Sequence, residues 1–316
     1  MHAMVIDKYG EPEVFYAAEL EPDAMGPEDL VIRIYATSVN PVDWKVRQGK
    51  LAPRLPSRFP AILGWDAAGI VVEVGSGVTQ FNVGDPVFSR PAIHRPGTYA
   101  ELTVVDQSLV ARKPVNLTYL EAASIPLAGL TAWEPLVEIG KIGAHHRVLV
   151  HGGGGGVGSY AVQLARAYGA EVIATASAAR RDDVRKLGAT QVIDYQRESF
   201  ADMVHNVDLV FDTVGGSVQD QSYTVLKPGG TLVSIAKPPD PEVAKAHEVS
   251  AHWFFLEPDG KKLEALGRLF EQGKMRPAIG HVFPLGEIGA AHRLSQEGHP
   301  QGKIGIVVDA DHAMTY

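Results

Sequence analysis

The sequence predicts an α/β protein of two domains: a doubly wound parallel sheet, and a second, mostly β domain that the chain visits twice. Three observations carry this. The 316 residues exceed the usual size of one hydrophobic core, so two cores are expected. From about residue 147 strand-like and helix-like segments alternate, and strands separated by helices of that length join in parallel through crossovers. On either side of that series the segments are short, β-rich and punctuated by Gly and Pro.

In chain order, "LVIRIYATSV", "AAGIVVEVG", "GDPVFS", "TYAELTVV" and "SLVARKP" read as strands of the irregular β domain. Near Asn116 the texture changes: residues 118–139 place apolar side chains at helical spacing, broken at Pro126 and Gly129. Strand "RVLVH" then leads through glycines to helix "VGSYAVQLARAYG", strand "EVIATA", helix "ARRDDVRKLG", strands "TQVIDY" and "VDLVFDTV", helix "VQDQSYTVLKPGG" and strand "TLVSIA". After a loop at Pro238 to Pro241, "VSAHWFFLE" reads as one further strand. "GKKLEALGRLFEQGK" is an amphipathic helix with Leu263, Leu266, Leu269 and Phe270 on one side. Beyond Met275 short strands return. The expected limits are residues 1–120 with 275–316 for the β domain and 121–274 for the doubly wound domain.

Composition narrows the function. Lys and Arg number 29 against 37 Asp and Glu, a net charge of −8, and no basic stretch is dense enough to track a nucleic acid backbone. No run reaches membrane-spanning length, and the opening "MHAMVIDKYG" lacks the continuous apolar segment of a signal peptide, so no membrane partner is expected. The chain has no cysteine, which removes thiolate metal sites and fits a cytoplasmic setting.

Residues 152–156 are five consecutive glycines. They are not a flexible joint, because an apolar strand (Val148, Leu149, Val150) grips one end. At the other end a helix begins at Val157 and carries Tyr160, Ala161, Leu164 and Tyr168 on one face. Gly153-x-Gly155-x-x-Gly158 and Gly152-x-x-Gly155-x-x-Gly158 both have dinucleotide-binding spacing. One glycine permits the tight turn, one lets backbone approach a pyrophosphate, and Gly158 lets helix pack on strand. The helix N-terminus then presents unpaired N–H groups to phosphate. An NAD site carries an acid roughly 20 residues on, at the end of the second strand. Here that end reads Thr175-Ala176-Ser177, followed by Arg180 and Arg181, groups suited to a 2′-phosphate, so NADP(H) is the expected cofactor. The competing reading has Ser177 capping the next helix and the arginines paired with Asp182 and Asp183. Asp212 ends another strand, where a cap and a ribose contact are both open.

The segments "NPVDWKVRQG", "PAILGWDAAGIVVEVG", "FNVGDPVF", "GTYAELTVV", "AASIPLAGLTAW", the glycine segment, "LGATQVIDY", "VFDTVGG", "LKPGGTLVSI" and "GKIGIVVD" occur in an order that covers nearly the whole chain. In them the chain resembles the medium-chain dehydrogenase/reductase superfamily, and within it the zinc-independent quinone oxidoreductases of the zeta-crystallin type. The resemblance implies a GroES-like substrate domain beside a Rossmann domain, and hydride transfer from NADPH to quinones or α,β-unsaturated carbonyls. It also implies a homodimer formed through Rossmann-domain edges. The places that hold zinc ligands in metal-dependent members carry Asn40, Trp65 and about Leu127, so no metal is expected. Such an acceptor disperses the arriving charge by its own conjugation, leaving the protein to orient the nicotinamide and support an oxyanion.

Position by position, the resemblance implies Asn40 and Asp43 near nicotinamide and substrate, and Thr131 at the nicotinamide amide or phosphate. It puts Gly155, Gly156 and Val157 at the pyrophosphate, and Ser177, Arg180 and Tyr195 at the 2′-phosphate. Lys45, by its place in NPVDWK, is the candidate to steady the oxyanion. Local readings stand beside these: a turn at Asn40-Pro41, a cap at Asp43, a helix-start role for Thr131 and plain packing for Tyr195. Two other functions compete: a dedicated enone or enoyl reductase with little quinone activity, and a non-catalytic NADPH-binding protein.

Overall fold

The computed structural model describes residues 1–298 and 300–316. They form two compact units, Met1–Leu130 with Glu257–Tyr316, and Thr131–Leu256. Helix Gly260–Glu271, which the sequence reading grouped with the doubly wound domain, packs in the first unit. Its Gly260 lies so close to strand Val110–Arg112 that a Cβ would stand 2.5 Å from the Val110 carbonyl oxygen. Asp259 caps this helix by accepting from the Lys261 and Lys262 N–H groups, and Leu263, Leu266 and Phe270 form its buried stripe.

The first unit is built on two sheets. In the smaller, strand His2–Ile6 lies between Tyr16–Glu19 and Ala61–Ile62, all antiparallel. The larger runs in the order Ile279–Pro284, Lys303–Val307, Asp29–Val39, Ala67–Val74, Pro86–Ser89, Val110–Arg112, with Leu102–Asp106 also paired to Asp29–Val39. Alternating residues of these strands, among them Leu30, Ile32, Val71, Val87, Val105 and Val110, bury one core. The late strand Lys303–Val307 pairs antiparallel to Asp29–Val39 in the register Ile304 to Val39. That register brings Lys303 level with Asn40.

In the second unit six parallel strands lie in the order Gln191–Asp194, Glu171–Ala176, Arg147–Val150, Val207–Asp212, Leu226–Ser234, Ser250–Trp253. This is the doubly wound sheet that the alternation predicts. The strand order reverses at Arg147–Val150, and ligands of such sheets bind at the carboxyl ends beside that reversal, where the glycine run begins. Leu149, Ile173, Ile193, Val210 and Leu232 share its core. Two segments differ from the sequence reading. Residues 226–230, "LKPGG", belong to strand Leu226–Ser234 and not to the preceding helix, which ends at Ser222. There Gly229 takes a φ of +76° and the register against Val207–Asp212 shifts. The helical stretch at 118–139 is three pieces: Tyr119–Ala123, Pro126–Trp133 and a wider π-type turn at Glu134–Ile139.

Candidate functional site

At the switch point the chain leaves strand Arg147–Val150 through His151 and turns at Gly152, whose φ is +69°. The Gly152 N–H donates to Thr175 Oγ1 (3.1 Å), the Gly153 N–H to the Thr175 carbonyl (2.9 Å) and the Gly155 N–H to the Gly152 carbonyl (2.9 Å). A Cβ on Gly158 would sit 2.1 Å from the Gly152 oxygen, so only glycine lets helix Gly156–Ala167 start this close to the turn. Gly155 is its N-cap and offers no side chain, which leaves the first-turn N–H groups of Gly156, Val157 and Gly158 at the positive end of a 12-residue helix. Beneath the loop, His151 is buried between Thr175 Oγ1 (3.3 Å) and Ser222 Oγ (3.0 Å), and burial brings its pKa down to about 4, so it is neutral.

Arg180 lies against this loop: a Cβ on Gly154 would be 3.2 Å from Arg180 Cβ. Its Nη1 bonds Asp183 at 2.9 Å, while its buried Nε has no partner. Arg181 bonds Glu198 and not Asp182 or Asp183, and its Nε is likewise buried and unmatched. Ser177 begins the 3-10 turn Ala178–Arg180 without a side-chain cap bond. Strand register pairs Ala176 with Asp194, so Ser177 and the half-exposed Tyr195 emerge side by side. Gly154, Ser177, Arg180 and Tyr195 thus converge at one end of the sheet. The buried, unmatched Nε of Arg180 and the Cβ-free loop suit the phosphates of an NADP(H) cofactor. Asp212 is absorbed by its own loop: Oδ1 accepts from the N–H groups of Val214 and Gly215, and Oδ2 from Ser234 Oγ and Gln219 Nε2. Thr131 is buried on helix Pro126–Trp133.

In the first unit, Asn40 and Asp43 belong to a buried polar cluster. Asn40 is the N-cap of helix Pro41–Arg47, and the Asp43 carboxylate reaches back to accept its backbone N–H at 2.7 Å, the local cap that the sequence allowed. The side-chain amide of Asn40 has one orientation only. Lys303 Nζ, a pure donor, faces Oδ1, and Asp66 Oδ2 accepts from Nδ2 at 2.6 Å. Lys303 Nζ also donates to the Val39 carbonyl (3.2 Å) and to Asp66 (3.4 Å). Asp66 gathers Ser38 Oγ (2.5 Å) and the Leu127 N–H (2.7 Å) besides. Lys303 and Asp66 are 3% and 0% exposed, so ammonium and carboxylate compensate one another, with the buried Arg90 adding its charge to Asp66 and Asp43. Burial lowers the Lys303 pKa against the pull of Asp66 and Asp43.

A second branch runs from Asp43 Oδ2 to Tyr99 OH (2.8 Å) and on to His292 Nε2 (2.9 Å). Burial raises the Asp43 pKa to about 7 against its two hydrogen bonds, raises that of Tyr99 well above the usual phenol value, and keeps His292 neutral. Neutral His292 then donates from Nε2 to the Tyr99 oxygen while Tyr99 donates to the carboxylate. Lys45 stands apart from both branches on the exposed side of the helix. Asp66, Tyr99, His292 and Lys303 escaped the sequence reading. A lone lysine opening the apolar run "KIGIVV" was the one signal that pointed inward.

Among known families, the chain matches the alcohol dehydrogenase GroES-like domain over residues 26–115 and the zinc-binding dehydrogenase model over 187–306. It also matches the alanine dehydrogenase/PNT C-terminal domain over 135–222. It is 36% identical to the chloroplastic NADPH-dependent alkenal/one oxidoreductase of Arabidopsis thaliana, covering 96% of this chain and 78% of that protein. It is 33% identical to the mitochondrial NAD(P)H oxidoreductase RTN4IP1 of Mus musculus, covering 96% and 88%. The structure of the quinone oxidoreductase from Coxiella burnetii superimposes with a TM-score of 0.88 at 35% identity, over 98% of this chain and 99% of that one. The chain belongs to the medium-chain dehydrogenase/reductase superfamily, in its quinone oxidoreductase branch. Zinc in one family description does not suit the residues here. The resemblance sets Asn40, Trp65 and about Leu127 at the ligand places, where none supplies a thiolate, imidazole or carboxylate, and the carboxylate beside them, Asp66, already faces the Lys303 ammonium together with Asn40 Oδ1.

Proposed function

We propose that this chain is a metal-free, NADPH-dependent reductase that transfers hydride to quinones or α,β-unsaturated carbonyls. The observation that carries the cofactor half is Arg180, laid against Gly154 with a buried, unmatched Nε beside Ser177 and Tyr195. NADPH, when bound, supplies the hydride. The chain does the rest: the N–H groups of Gly156 and Val157 bind the pyrophosphate, which the side-chain-free Gly155 lets approach, with Gly152 and Gly158 shaping the turn. Ser177, Arg180 and Tyr195 hold the 2′-phosphate, and Thr131 orients the nicotinamide end. Asn40, fixed by Lys303 and Asp66, and Asp43, fixed by Tyr99, form the wall for the acceptor; Lys45, whose ammonium lies 5.6 Å from the centre of the Trp44 ring on the exposed side of the helix, is left out of the oxyanion role. A conjugated acceptor needs no Lewis acid, which agrees with an ammonium and not a metal in the Asn40 cluster. The names of the Arabidopsis and Coxiella relatives, one an alkenal/one and the other a quinone oxidoreductase, support the two acceptor classes.

We further propose a cytoplasmic homodimer. Strand Ser250–Trp253 stands last in the order of the six-stranded sheet, and the part-exposed rings of Trp253 and Phe255, 6.2 Å apart, flank it, which supports joining edge to edge with a second copy. Among the described residues no helix is long and apolar enough to cross a membrane. Steady-state reduction of 1,4-benzoquinone and of a simple 2-alkenal, followed by loss of NADPH absorbance, tests the activity. Turnover of the alkenal alone favours a dedicated enone reductase, and NADPH binding with no turnover of either overturns the enzyme reading.

A further inference from the structure

We infer that the acceptor carries an anionic tail, received by Lys50 and Arg58 beside Trp44 at the opposite end of helix Pro41–Arg47 from Asn40. The inference rests on the proposed reading, in which Asn40 borders the reacting end of the acceptor.

From Trp44 to Trp65 the sequence has Lys45, Arg47, Lys50, Arg54 and Arg58 and no acid, in a chain whose net charge is −8. Arg47 turns inward to the Gly10 carbonyl and Gln296. Lys45, Lys50 and Arg58 are exposed, and none of them pairs with a described carboxylate. The ammonium groups of Lys45 and Lys50 lie 5.6 and 5.0 Å from the centre of the Trp44 ring. Burial of its stem, and after it the neighbouring Lys50 ammonium, lowers the Lys45 pKa. The Trp44 indole N–H beneath them is buried with no acceptor.

Tyr9 holds the residues on either side of Arg58 beside Gly49, the residue before Lys50. Its ring backs Gly49, where a Cβ would be 3.0 Å away, its hydroxyl accepts the Ser57 N–H at 2.9 Å, and Phe59 packs edge-on to it at 5.0 Å. The neighbours of Lys50 and Arg58 are therefore pinned to one ring. Two like charges over one indole, with Arg58 between two residues held to the neighbouring Tyr9 ring, form a basic patch with no described carboxylate to balance it. At 1.5 Å per residue the helix sets it about 10 Å from Asn40, a short tail's reach. Three cations are too few to track a nucleic acid, and the phosphates of NADPH have their own cradle in the other unit.

The shared chemistry is a carboxylate or a phosphate ester, and two matched pairs separate them: (E)-10-oxoundec-8-enoate, whose carboxylate is unconjugated and seven bonds from the β-carbon, against its methyl ester, and crotonyl phosphopantetheine against crotonyl pantetheine. Wild type should favour the anionic member of at least one pair by about 10-fold in kcat/KM at low salt. That preference should shrink to under about 2-fold near 0.5 M salt. Lys50→Ala with Arg58→Ala should abolish it, leaving benzoquinone turnover and the KM for NADPH within about 2-fold of wild type. No preference in either pair, a preference that survives the double variant, or a raised KM for NADPH overturns the inference. If benzoquinone and the neutral members are not reduced either, the proposed function is what fails. Tryptophan fluorescence titration with 10-oxoundecanoate then decides the patch by itself: tighter binding to wild type than to the double variant supports it, and equal binding refutes it.

Discussion

Replacing Lys303 by methionine keeps the length of the side chain and removes its charge. The ammonium donates to Asn40 Oδ1, the Val39 carbonyl and Asp66, at 3% exposure, so the substitution strands the Asp66 carboxylate in a place where water does not reach it. Breaking one partner from a buried ion pair costs about 3–5 kcal/mol. For a domain of this size that lowers Tm by roughly 10 °C, at about 2–4 °C per kcal/mol. Asp66→Asn should cost a similar amount, because it leaves the ammonium uncompensated while Asn40, Ser38 and Leu127 lose their charged acceptor. The double variant has no stranded charge, so its loss should fall short of the sum by at least about 2 kcal/mol. Calorimetric unfolding of the four proteins closes this cycle. A Lys303→Met loss under about 1 kcal/mol, or strict additivity, would refute the account of the cluster as an interdependent pair.

Arg180→Ala removes a charge-assisted contact to the 2′-phosphate. It should raise the KM for NADPH about 10- to 100-fold while leaving that for NADH nearly unchanged, as initial rates with each cofactor will read out. Gly158→Ala drives a methyl to 2.1 Å from the Gly152 oxygen, and isothermal titration should show NADPH binding lost together with about 1–3 kcal/mol of stability. Asp43, with its folded pKa near 7 against 3.8 unperturbed, binds a proton in the folded state that the unfolded chain has released between those values. The Asp43 contribution to folding stability should therefore fall by up to about 4 kcal/mol as pH rises from about 4 through 7, opposed by His151 and His292, which burial keeps neutral and which add stability as pH rises toward 6.5. Urea titrations of wild type and Asp43→Asn isolate it: the wild-type minus variant difference should fall over that range, and a difference independent of pH contradicts the assignment.

The glycine site was legible because its logic is local. A strand, a turn needing φ above zero, a helix start and the next strand's end lie within residues 147–181, and each demands a residue type that the sequence displays. The cap formed by Asp43 is local too, three residues from Asn40. Lys303 and Asp66 are 237 residues apart, and nothing in either segment states that the last strand aligns Ile304 with Val39. Tyr99 and His292 are hidden for the same reason, 193 residues apart and joined by packing of helix Ile288–Gln296 in the first unit. Residues 226–230 misled in the opposite direction: Pro228 and two glycines look like a helix stop, yet a bulge accommodates them inside a strand.

The central claim is metal-free hydride transfer from NADPH through the Arg180 site. Its most direct measurement is kcat/KM for NADPH and for NADH with 1,4-benzoquinone or a 2-alkenal, on protein dialysed against a chelator and again after zinc is restored. The account predicts undiminished turnover without metal and a preference for NADPH of about 10-fold or more, as one charge-assisted phosphate contact supplies. Activity that disappears with chelation and returns with zinc, or equal use of NADH, would contradict it.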